Sequence, residues 1–144
     1  MHANILEDEE SITRLLEAAR RIAVLGIKTE AQADQAAFYV PKYCVDAGFE
    51  VVPVPVYYPE ATEILGRPVV RRLEDVSPPA DMINVFRRSK DLAAHVDDIL
   101  AAKPKCVWLQ QGIKDAAFAE KIAAAGIKVV QDRCLMVELR SREA

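Results

Sequence analysis

The sequence has few of the residues that build metal centres and disulfide frameworks. Its three cysteines, Cys44, Cys106 and Cys134, lie far apart and form no CxxC pair. Only two histidines, His2 and His95, are present. Because a zinc centre needs a closely spaced set of cysteine and histidine ligands, the sequence predicts no metal site. An odd number of cysteines and no export signal predict a reducing, cytoplasmic location.

Long apolar runs and an excess of positive charge are also missing. No apolar run approaches the ~20 residues that a membrane-spanning helix needs. Residues 1–10 are acidic and lack the basic and then apolar pattern of a signal peptide. The formal net charge is −3, which argues against a general nucleic-acid surface. We therefore expect neither a membrane nor a nucleic-acid partner, and phosphate binding has to come from local geometry and a few cations.

Two glycine-rich nucleotide motifs are absent as well. The dinucleotide motif GxGxxG would start at Gly26, but Lys28 and Ala31 stand where its second and third glycines would fall. The end of the second predicted strand carries Pro55-Val56-Tyr57 instead of a carboxylate that could hold a ribose 2′-hydroxyl. Both observations argue against NAD. The P-loop pattern GxxxxGK[ST] does not occur either.

What the sequence does contain is an alternation of short apolar runs with helical patterns. Strands are predicted at 22–26, 50–54, 69–70, 82–86, 106–109 and 128–130. Helices are predicted at 7–20, from between 29 and 34 to near 48, at 60–65, at 89–102 with Ser89 as N-cap, and around Phe118 and Ile122. The alternation predicts right-handed crossovers and a mainly parallel sheet of five to six strands, covered on both faces. We therefore predict an α/β fold, a single doubly wound domain.

The first strand gives the clearest functional signal. Ile22–Leu25 is an uninterrupted apolar run that ends at Gly26, as expected of a strand buried on both faces. A glycine there lets the backbone approach a ligand closely, and the next helix points its N-terminus at the same place. We interpret this as a phosphate-binding turn. Ligands of doubly wound sheets bind beyond the carboxyl ends of the strands, so further contacts are expected at Pro55–Tyr58, Phe86–Arg88 and Gln110–Gly112.

Simple energetics show that phosphate contacts alone are marginal. A helix N-terminus contributes ~0.3–1 kcal/mol, and Lys28, Arg87 or Arg88 could each add a charge-assisted hydrogen bond of about 1.5–3 kcal/mol. Micromolar affinity needs about 8 kcal/mol net. Stacking or burial of a base against Tyr57, Tyr58 or Phe86 would therefore be needed as well.

Several motifs together resemble the small stand-alone CoA-binding proteins, whose domain is similar to the CoA-binding domain of the succinyl-CoA synthetase alpha subunit. The resemblance covers roughly residues 20–138 and rests on the order and spacing of the motifs. These are Ile22-Ala23-Val24-Leu25-Gly26, Tyr39-Val40-Pro41-Lys42-Tyr43, Val51-Val52-Pro53-Val54, Ile64-Leu65-Gly66, Asn84-Val85-Phe86-Arg87-Arg88, Val107-Trp108-Leu109-Gln110-Gln111-Gly112 and Asp132-Arg133-Cys134-Leu135-Met136.

The resemblance implies a Rossmann-like core over 21–138, preceded by an N-terminal helix within 1–20, in one CoA-binding-type domain over 1–144. It also implies that CoA or acyl-CoA is held by its nucleotide end at the carboxyl edge of the sheet. Gly26, Ile27 and Lys28 would meet the pyrophosphate, and the loops at Pro55 and Phe86-Arg87 would flank the adenine. Gln110 ends a strand at the same edge, where a ligand contact and a role in loop structure are both open.

The sequence departs from the family pattern at two places. The family usually has Gly-Ala-Ser where this chain has Gly26-Ile27-Lys28, so a long cation replaces a small hydroxyl and could supply phosphate affinity from a different donor. The family has Val-Asn-Pro where this chain reads Val54-Pro55-Val56, which removes an amide side chain from the ligand rim.

These observations favour a non-catalytic protein that binds CoA or acyl-CoA, and no catalytic residue is predicted. Two alternatives stay open. One is a subunit or relative of an acyl-CoA ligase or transferase. The similar ligase uses a phosphorylated histidine, and neither His2 nor His95 is well placed for that role; no nucleophile–base pair stands out either. The other is an interaction protein that has lost its ligand. The sequence leaves the acyl group, the physiological partner and the oligomeric state open.

Overall fold

The computed structural model describes residues 2–143. Its strands are β1 (Arg21–Leu25), β2 (Glu50–Val54), β3 (Glu63–Ile64), β4 (Arg67–Pro68), β5 (Met82–Val85), β6 (Cys106–Leu109) and β7 (Lys128–Val130). Its α-helices are α1 (Glu9–Ala18), α2 (Ala36–Asp46), α3 (Val96–Ala102), α4 (Ala116–Ala124) and α5 (Leu135–Arg140). Short 3-10 helices cover Glu30–Gln32, Leu73–Asp75 and Ser89–His95.

Five strands form one fully parallel sheet in the order β2-β1-β5-β6-β7. The chain moves outward from β1 to β2 on one side and from β5 through β6 to β7 on the other. The strand order therefore reverses between β1 and β5, and in open α/β sheets ligands bind in the crevice at such a switch point. The predicted α/β, Rossmann-like fold class with a parallel sheet is confirmed.

The sheet separates two hydrophobic cores. Alternate β1 residues face opposite ways, with Ala23 and Leu25 packed among residues of α3 and α4, and Ile22 and Val24 packed among residues of α1, α2 and α5. All residues of β5 and β6 are buried. Burial on both faces explains why these strands read as continuous apolar runs, which is typical of parallel sheets covered by helices.

The segment between β2 and β5 differs from the prediction. The helix predicted at 60–65 and the strand predicted at 69–70 are both wrong, because β3 and β4 form a small antiparallel hairpin apart from the main sheet. Its two connecting residues, Leu65 and Gly66, have φ values of 55° and 73°. Positive φ at both central residues is the geometry of a tight hairpin turn, which neither a helix nor a longer strand can contain.

Two helix predictions also need correction. The helix predicted to start between 29 and 34 begins at Ala36, after the separate 3-10 turn that Thr29 and Gln32 close through their side chains. Residues 89–102 form a 3-10 helix followed by α3 instead of one α-helix, and Ser89 does not cap it. The Ser89 hydroxyl oxygen accepts a hydrogen bond from the Lys114 amide at 3.1 Å instead.

The assignment of residues 1–144 to one domain, with an N-terminal helix within 1–20 and a core over 21–138, stays a prediction. Within residues 2–143, no helix combines the length and the apolar character that crossing a membrane requires.

Candidate functional site

The turn after β1 is shaped by a close backbone contact at Gly26. This residue has a φ of +87°, and a Cβ atom built on it would lie 2.5 Å from the carbonyl oxygen of Phe86. Its amide donates to the carbonyl oxygen of Val54 at 2.9 Å. Gly26 thus packs directly against the chain that leaves β5 while it is tied to the end of β2. In this structure the backbone that closely approaches Gly26 is that of Phe86. The contact brings the carboxyl ends of β1, β2 and β5 together.

Ile27 and Lys28 leave this turn in different directions. The side chain of Ile27 is 1% exposed and packs in the core beneath α2. The expected contact of Ile27 with a ligand can therefore involve its main chain only. The side chain of Lys28 lies at the surface, where its ammonium group contacts the side-chain oxygen of Gln35, the residue that precedes α2.

A proline inside α2 fixes the position of Lys28. Pro41 has no N–H, so the carbonyl oxygen of Ala37, which residue 41 would otherwise bond in the helix, is left without its helical partner. That oxygen accepts a hydrogen bond from the Lys28 amide at 3.1 Å. Pro41 therefore leaves α2 intact from Ala36 to Asp46 and supplies the acceptor that holds the turn after β1 against the helix.

The N-terminus of α2 has two amides free for a ligand. The amides of Phe38 and Tyr39 donate to the carbonyl oxygen of Gln35, but the amides of Ala36 and Ala37 make no hydrogen bond within residues 2–143. Both residues line an open cleft of about 450 Å³. A helix N-terminus with unpaired amides carries a partial positive charge and is suited to bind an anion.

The cleft is cationic on both sides. Lys28 lies beside the α2 N-terminus, Arg87 and Arg88 line the opposite wall, and the floor is formed by the chain after β6 at 110–113. None of the described residues that line the cleft is acidic. Arg88 is 68% exposed at its side chain and pairs with Asp91 at 2.8 Å. The structure therefore brings Lys28, Phe86 and Arg87 together around one cleft, as the sequence predicts, although the two arginines already have protein partners.

Arg87 is held more firmly than Arg88. Its side chain is 16% exposed. Its Nε donates to Nε2 of His95 at 3.2 Å, and its guanidinium carbon lies 5.7 Å from the centre of the Tyr57 ring. One of its terminal nitrogens is 3.9 Å from a carboxylate oxygen of Asp91. The guanidinium is thus in cation–π contact with an aromatic ring and hydrogen-bonded to an imidazole at the rim of the cleft.

A second, smaller cleft of about 250 Å³ lies beyond the ends of β1 and β2. Pro55 and Val56 line it, and His95 and Asp98 face them from the other side. The loop beside it is fixed by Arg71, which donates to the carbonyl oxygens of Tyr57, Tyr58 and Ala61 at 3.2, 2.7 and 2.8 Å. Tyr57 is 61% exposed. Pro55 therefore lies at the same sheet edge as Gly26 but in a separate recess from Lys28.

His95 belongs to this edge, although no motif in the sequence pointed to it. It ends the 3-10 helix Ser89–His95 and accepts the hydrogen bond from Arg87. Burial and the neighbouring Arg87 guanidinium hold the pKa of His95 below its ordinary value, while Asp98 and Asp91 act in the opposite direction. Arg87 lies before the helix predicted at 89–102, so helical periodicity gave no link between it and His95.

Gln110 has mainly a structural role. Its side chain is 4% exposed. The side-chain oxygen accepts a hydrogen bond from the backbone amide of Leu135 at 3.2 Å and lies 3.5 Å from the side-chain nitrogen of Asn84. It therefore joins the floor of the cleft to the start of α5. The side-chain oxygen of Asn84 is buried and has no partner among the described residues.

Another cavity, of about 310 Å³, lies at the opposite edge of the sheet, between α1 and the amino ends of β5–β7. Asp81 is its acidic group, and its carboxylate already accepts from the amides of Arg20 and Arg21, at 2.9 Å each. The structure offers no group of three or more histidine, cysteine or acidic side chains, within residues 2–143, that could hold a metal ion.

Comparisons with known proteins find similar chains of nearly the same extent. The Bacillus subtilis (strain 168) protein YneT is 32% identical over 126 residues, which cover 88% of this chain and 90% of YneT. A solved Thermus thermophilus structure is 37% identical with a TM-score of 0.85, and covers 94% of this chain and 98% of its own. A Pyrococcus horikoshii OT3 protein is 26% identical with a TM-score of 0.83, over 98% of this chain and 95% of its own.

A more distant likeness extends to part of a larger enzyme. The dinucleotide-forming acetyl-coenzyme A synthetase 1 of Ca. Korarchaeum cryptofilum matches with a TM-score of 0.61 at 17% identity, over 76% of this chain and 25% of the synthetase. At that identity the likeness shows a shared fold alone. Residues 20–140 match the family described as CoA binding domain, and this match covers most of the chain. The resemblance noted from the sequence is thereby confirmed: the chain belongs to the CoA-binding domain family.

Proposed function

We propose that this protein binds CoA or acyl-CoA at the carboxyl edge of its sheet and does not catalyse a reaction on it. The observation that carries the proposal is the cationic cleft at the N-terminus of α2. It combines the unpaired amides of Ala36 and Ala37 with the side chains of Lys28 and Arg87, and its lining within residues 2–143 contains no acidic residue. Such a set of donors suits the diphosphate of a nucleotide.

The two clefts suggest how the ligand lies. The diphosphate would occupy the cleft beside Gly26 and Lys28, and the adenine would lie near Pro55 and Phe86, with Tyr57 as an exposed aromatic surface. Two or three charge-assisted hydrogen bonds of about 1.5–3 kcal/mol each, together with burial of the base, can reach the roughly 8 kcal/mol of micromolar binding. Ile27 and Gln110 would contribute through the main chain and the floor, because their side chains are buried.

The reactive groups of the chain support a non-catalytic role. Burial raises the pKa of the Cys44 thiol to about 12 and also raises the pKa of Cys106, so neither is poised to form a thiolate nucleophile. His95 uses Nε2 to accept the hydrogen bond from Arg87, so this nitrogen is not available for attack on a phosphoryl group. A cytoplasmic location is part of the same proposal.

Isothermal titration calorimetry with CoA, acetyl-CoA and NAD tests the binding. We expect heat with both CoA species and none with NAD. Lys28→Ala and Arg87→Ala should each weaken CoA binding about ten- to hundredfold, the contribution of one charge-assisted hydrogen bond. Lys42→Ala is the matched control, because Lys42 lies on the exposed side of α2 and pairs with Asp46 at 2.9 Å. Equal affinity of all three variants would show that the site assignment is wrong, and absence of heat with either CoA species would overturn the function.

A turnover assay distinguishes the ligase alternative. CoA, a carboxylic acid and a nucleoside triphosphate are incubated with the protein, and acyl-CoA formation is followed. We expect none, and sustained turnover would contradict the non-catalytic proposal. The alternative of an interaction protein without a ligand would be favoured if calorimetry detected no CoA binding and no CoA co-purified with fresh protein.

A further inference from the structure

Arg87 has a position that depends on one imidazole. Its Nε–H points at Nε2 of His95 across 3.2 Å, and its guanidinium lies over the Tyr57 ring. The Tyr57 ring limits where the guanidinium can lie on one side, and the imidazole holds it through a directional hydrogen bond. Asp91 is farther away, at 3.9 Å, and it is already paired with Arg88 at 2.8 Å. Among the described residues, the hydrogen bond that Arg87 donates to His95 is therefore the shortest polar contact of the Arg87 side chain.

Arg87 and His95 line different clefts. Arg87 is part of the wall of the cleft at the α2 N-terminus, and His95 is part of the wall of the smaller cleft beside Pro55. His95 thus lies behind Arg87 as seen from the first cleft. A change in His95 would affect an anion in that cleft through the position of Arg87 instead of through direct contact.

The hydrogen bond requires a neutral imidazole. An arginine Nε can only donate, so Nε2 of His95 has to carry a lone pair and the ring proton has to be on Nδ1. When Nε2 gains a proton, the acceptor becomes a donor and two positive charges face each other across 3.2 Å. Arg87 then has to turn away, and Asp91 on the same 3-10 segment offers the nearest carboxylate.

We propose that His95 is a positioning residue for Arg87, and that it makes anion binding in the first cleft dependent on pH. Neutral His95 holds Arg87 at the cleft wall, and protonated His95 releases it. The inference rests on the proposed function, since the anion is taken to be the diphosphate of CoA. It adds a residue and a regulation that act on the same site.

The groups around His95 determine the pH at which its imidazole is protonated. Burial and Arg87 lower the pKa of His95, and Asp98 and Asp91 oppose this. The charged and titratable groups near His95 and its partner Arg87 are Asp91, Asp98, Arg71, Arg72 and Tyr57. Because the pKa in the folded protein is lowered, the hydrogen bond is complete above the ordinary value of about 6.5 and is lost as the pH falls through the lower value.

The first test needs no ligand. Nitrogen chemical shifts of the imidazole, measured by NMR across a pH titration, report the tautomer and the midpoint of His95. We expect the proton on Nδ1 and a midpoint below about 6.5. Arg87→Ala should raise the midpoint, and Lys42→Ala, which removes the same charge at a distance, should leave it in place. A proton on Nε2, or a midpoint that does not respond to Arg87→Ala, would overturn the proposal.

The second test measures CoA affinity by calorimetry at two pH values, two units above and one unit below the midpoint of the His95 titration. His95→Gln is the matched variant, because its side-chain oxygen can accept from Arg87 and does not titrate. The phosphate of the ligand titrates near pH 6, but equally for both proteins, so the ratio of their affinities isolates His95. We expect near-equal affinity at high pH and wild-type binding about fivefold weaker than that of His95→Gln at low pH, the worth of one hydrogen bond.

The opposite result at low pH, with the wild type binding more tightly than His95→Gln, would show that His95 contacts the phosphate directly and would overturn the positioning role. A ratio that does not change with pH would overturn it as well. If CoA does not bind at any pH, the proposed function fails and the ligand-dependent part of this inference fails with it. The pairing of His95 with Arg87 is then decided by the NMR titration alone.

Discussion

Replacement of Gly26 by alanine tests the geometry on which the site depends. The new Cβ atom would lie 2.5 Å from the carbonyl oxygen of Phe86, 3.1 Å from its carbonyl carbon and 3.3 Å from Cδ of Arg87. To reach the ordinary contact distance of 3.4 Å, the Phe86 oxygen has to move by about 0.9 Å. The substitution therefore has two expected effects, a loss of stability and a displacement of Arg87.

The loss of stability has two sources. The φ of +87° costs an alanine about 1–2 kcal/mol relative to glycine. Overlap with the backbone of Phe86, which directly follows β5 and whose amide donates to the carbonyl oxygen of Leu25 at 2.9 Å, adds about 1–3 kcal/mol, as overpacking of a core does. Alanine recovers about 0.4–1 kcal/mol by restricting the unfolded chain. We expect the free energy of unfolding of Gly26→Ala to fall by about 2–4 kcal/mol.

Gly126 provides the control. Its φ is +88°, almost the same as that of Gly26, but a Cβ atom built on it would meet nothing within 4 Å. Gly126→Ala therefore shares the backbone cost and the unfolded-state gain, and it lacks the overlap. Urea unfolding of both variants isolates the contact with Phe86. Equal losses would refute the close-contact argument, and Gly26→Ala should in addition weaken CoA binding where Gly126→Ala does not.

Two further substitutions test the supports of the site. Pro41→Ala supplies an amide that competes with the Lys28 amide for the carbonyl oxygen of Ala37. Hydrogen exchange of the Lys28 amide, followed by NMR, should therefore become several times faster. An unchanged rate would show that the one oxygen accepts both hydrogen bonds. Asp81→Asn should lower the free energy of unfolding at pH 7 by on the order of 1 kcal/mol. Burial disfavours the charged carboxylate, but hydrogen bonds from the amides of residues 20–21 and from Lys105 outweigh it and hold the pKa of Asp81 below its usual value. The stability that the Asp81 charge contributes is present above the unfolded-state pKa of about 3.9 and is lost as the pH falls through the lower folded-state pKa. The variant should therefore lose less stability in acid than the wild type. Parallel profiles of stability against pH would contradict this.

The elements that the sequence predicted well are those determined by burial on both faces. Strands β2, β6 and β7 have the predicted bounds, β1 is shifted by one residue at both ends, and β5 ends one residue earlier than predicted. A strand in a covered parallel sheet is mostly apolar on both faces, so its signal is a short apolar run that can be read locally. The hairpin Glu63–Pro68 was missed because strands of two residues are too short to show any period.

The site was predicted only in part, because direction and pairing depend on tertiary contacts. The sequence predicted Gly26, Lys28 and Arg87 at one sheet edge, but it could not show that the turn buries the Ile27 side chain and leaves Lys28 half-buried beside Gln35. The role of Gln110 depends on α5, which was not predicted. The pairing of Arg87 with His95 depends on a 3-10 segment whose three-residue turn differs from the helix predicted there.

Pro41 has a consequence for how the fold can assemble. In a helix without proline, the carbonyl of residue 37 would be satisfied as soon as the helix formed, and the turn after β1 would have to share that oxygen in order to dock. Here the acceptor is vacant when α2 forms and stays vacant until Lys28 arrives. The helix and the turn can therefore form in either order, and neither has to open for the other. A residue that ordinarily interrupts helices here removes a competition between local and long-range hydrogen bonding.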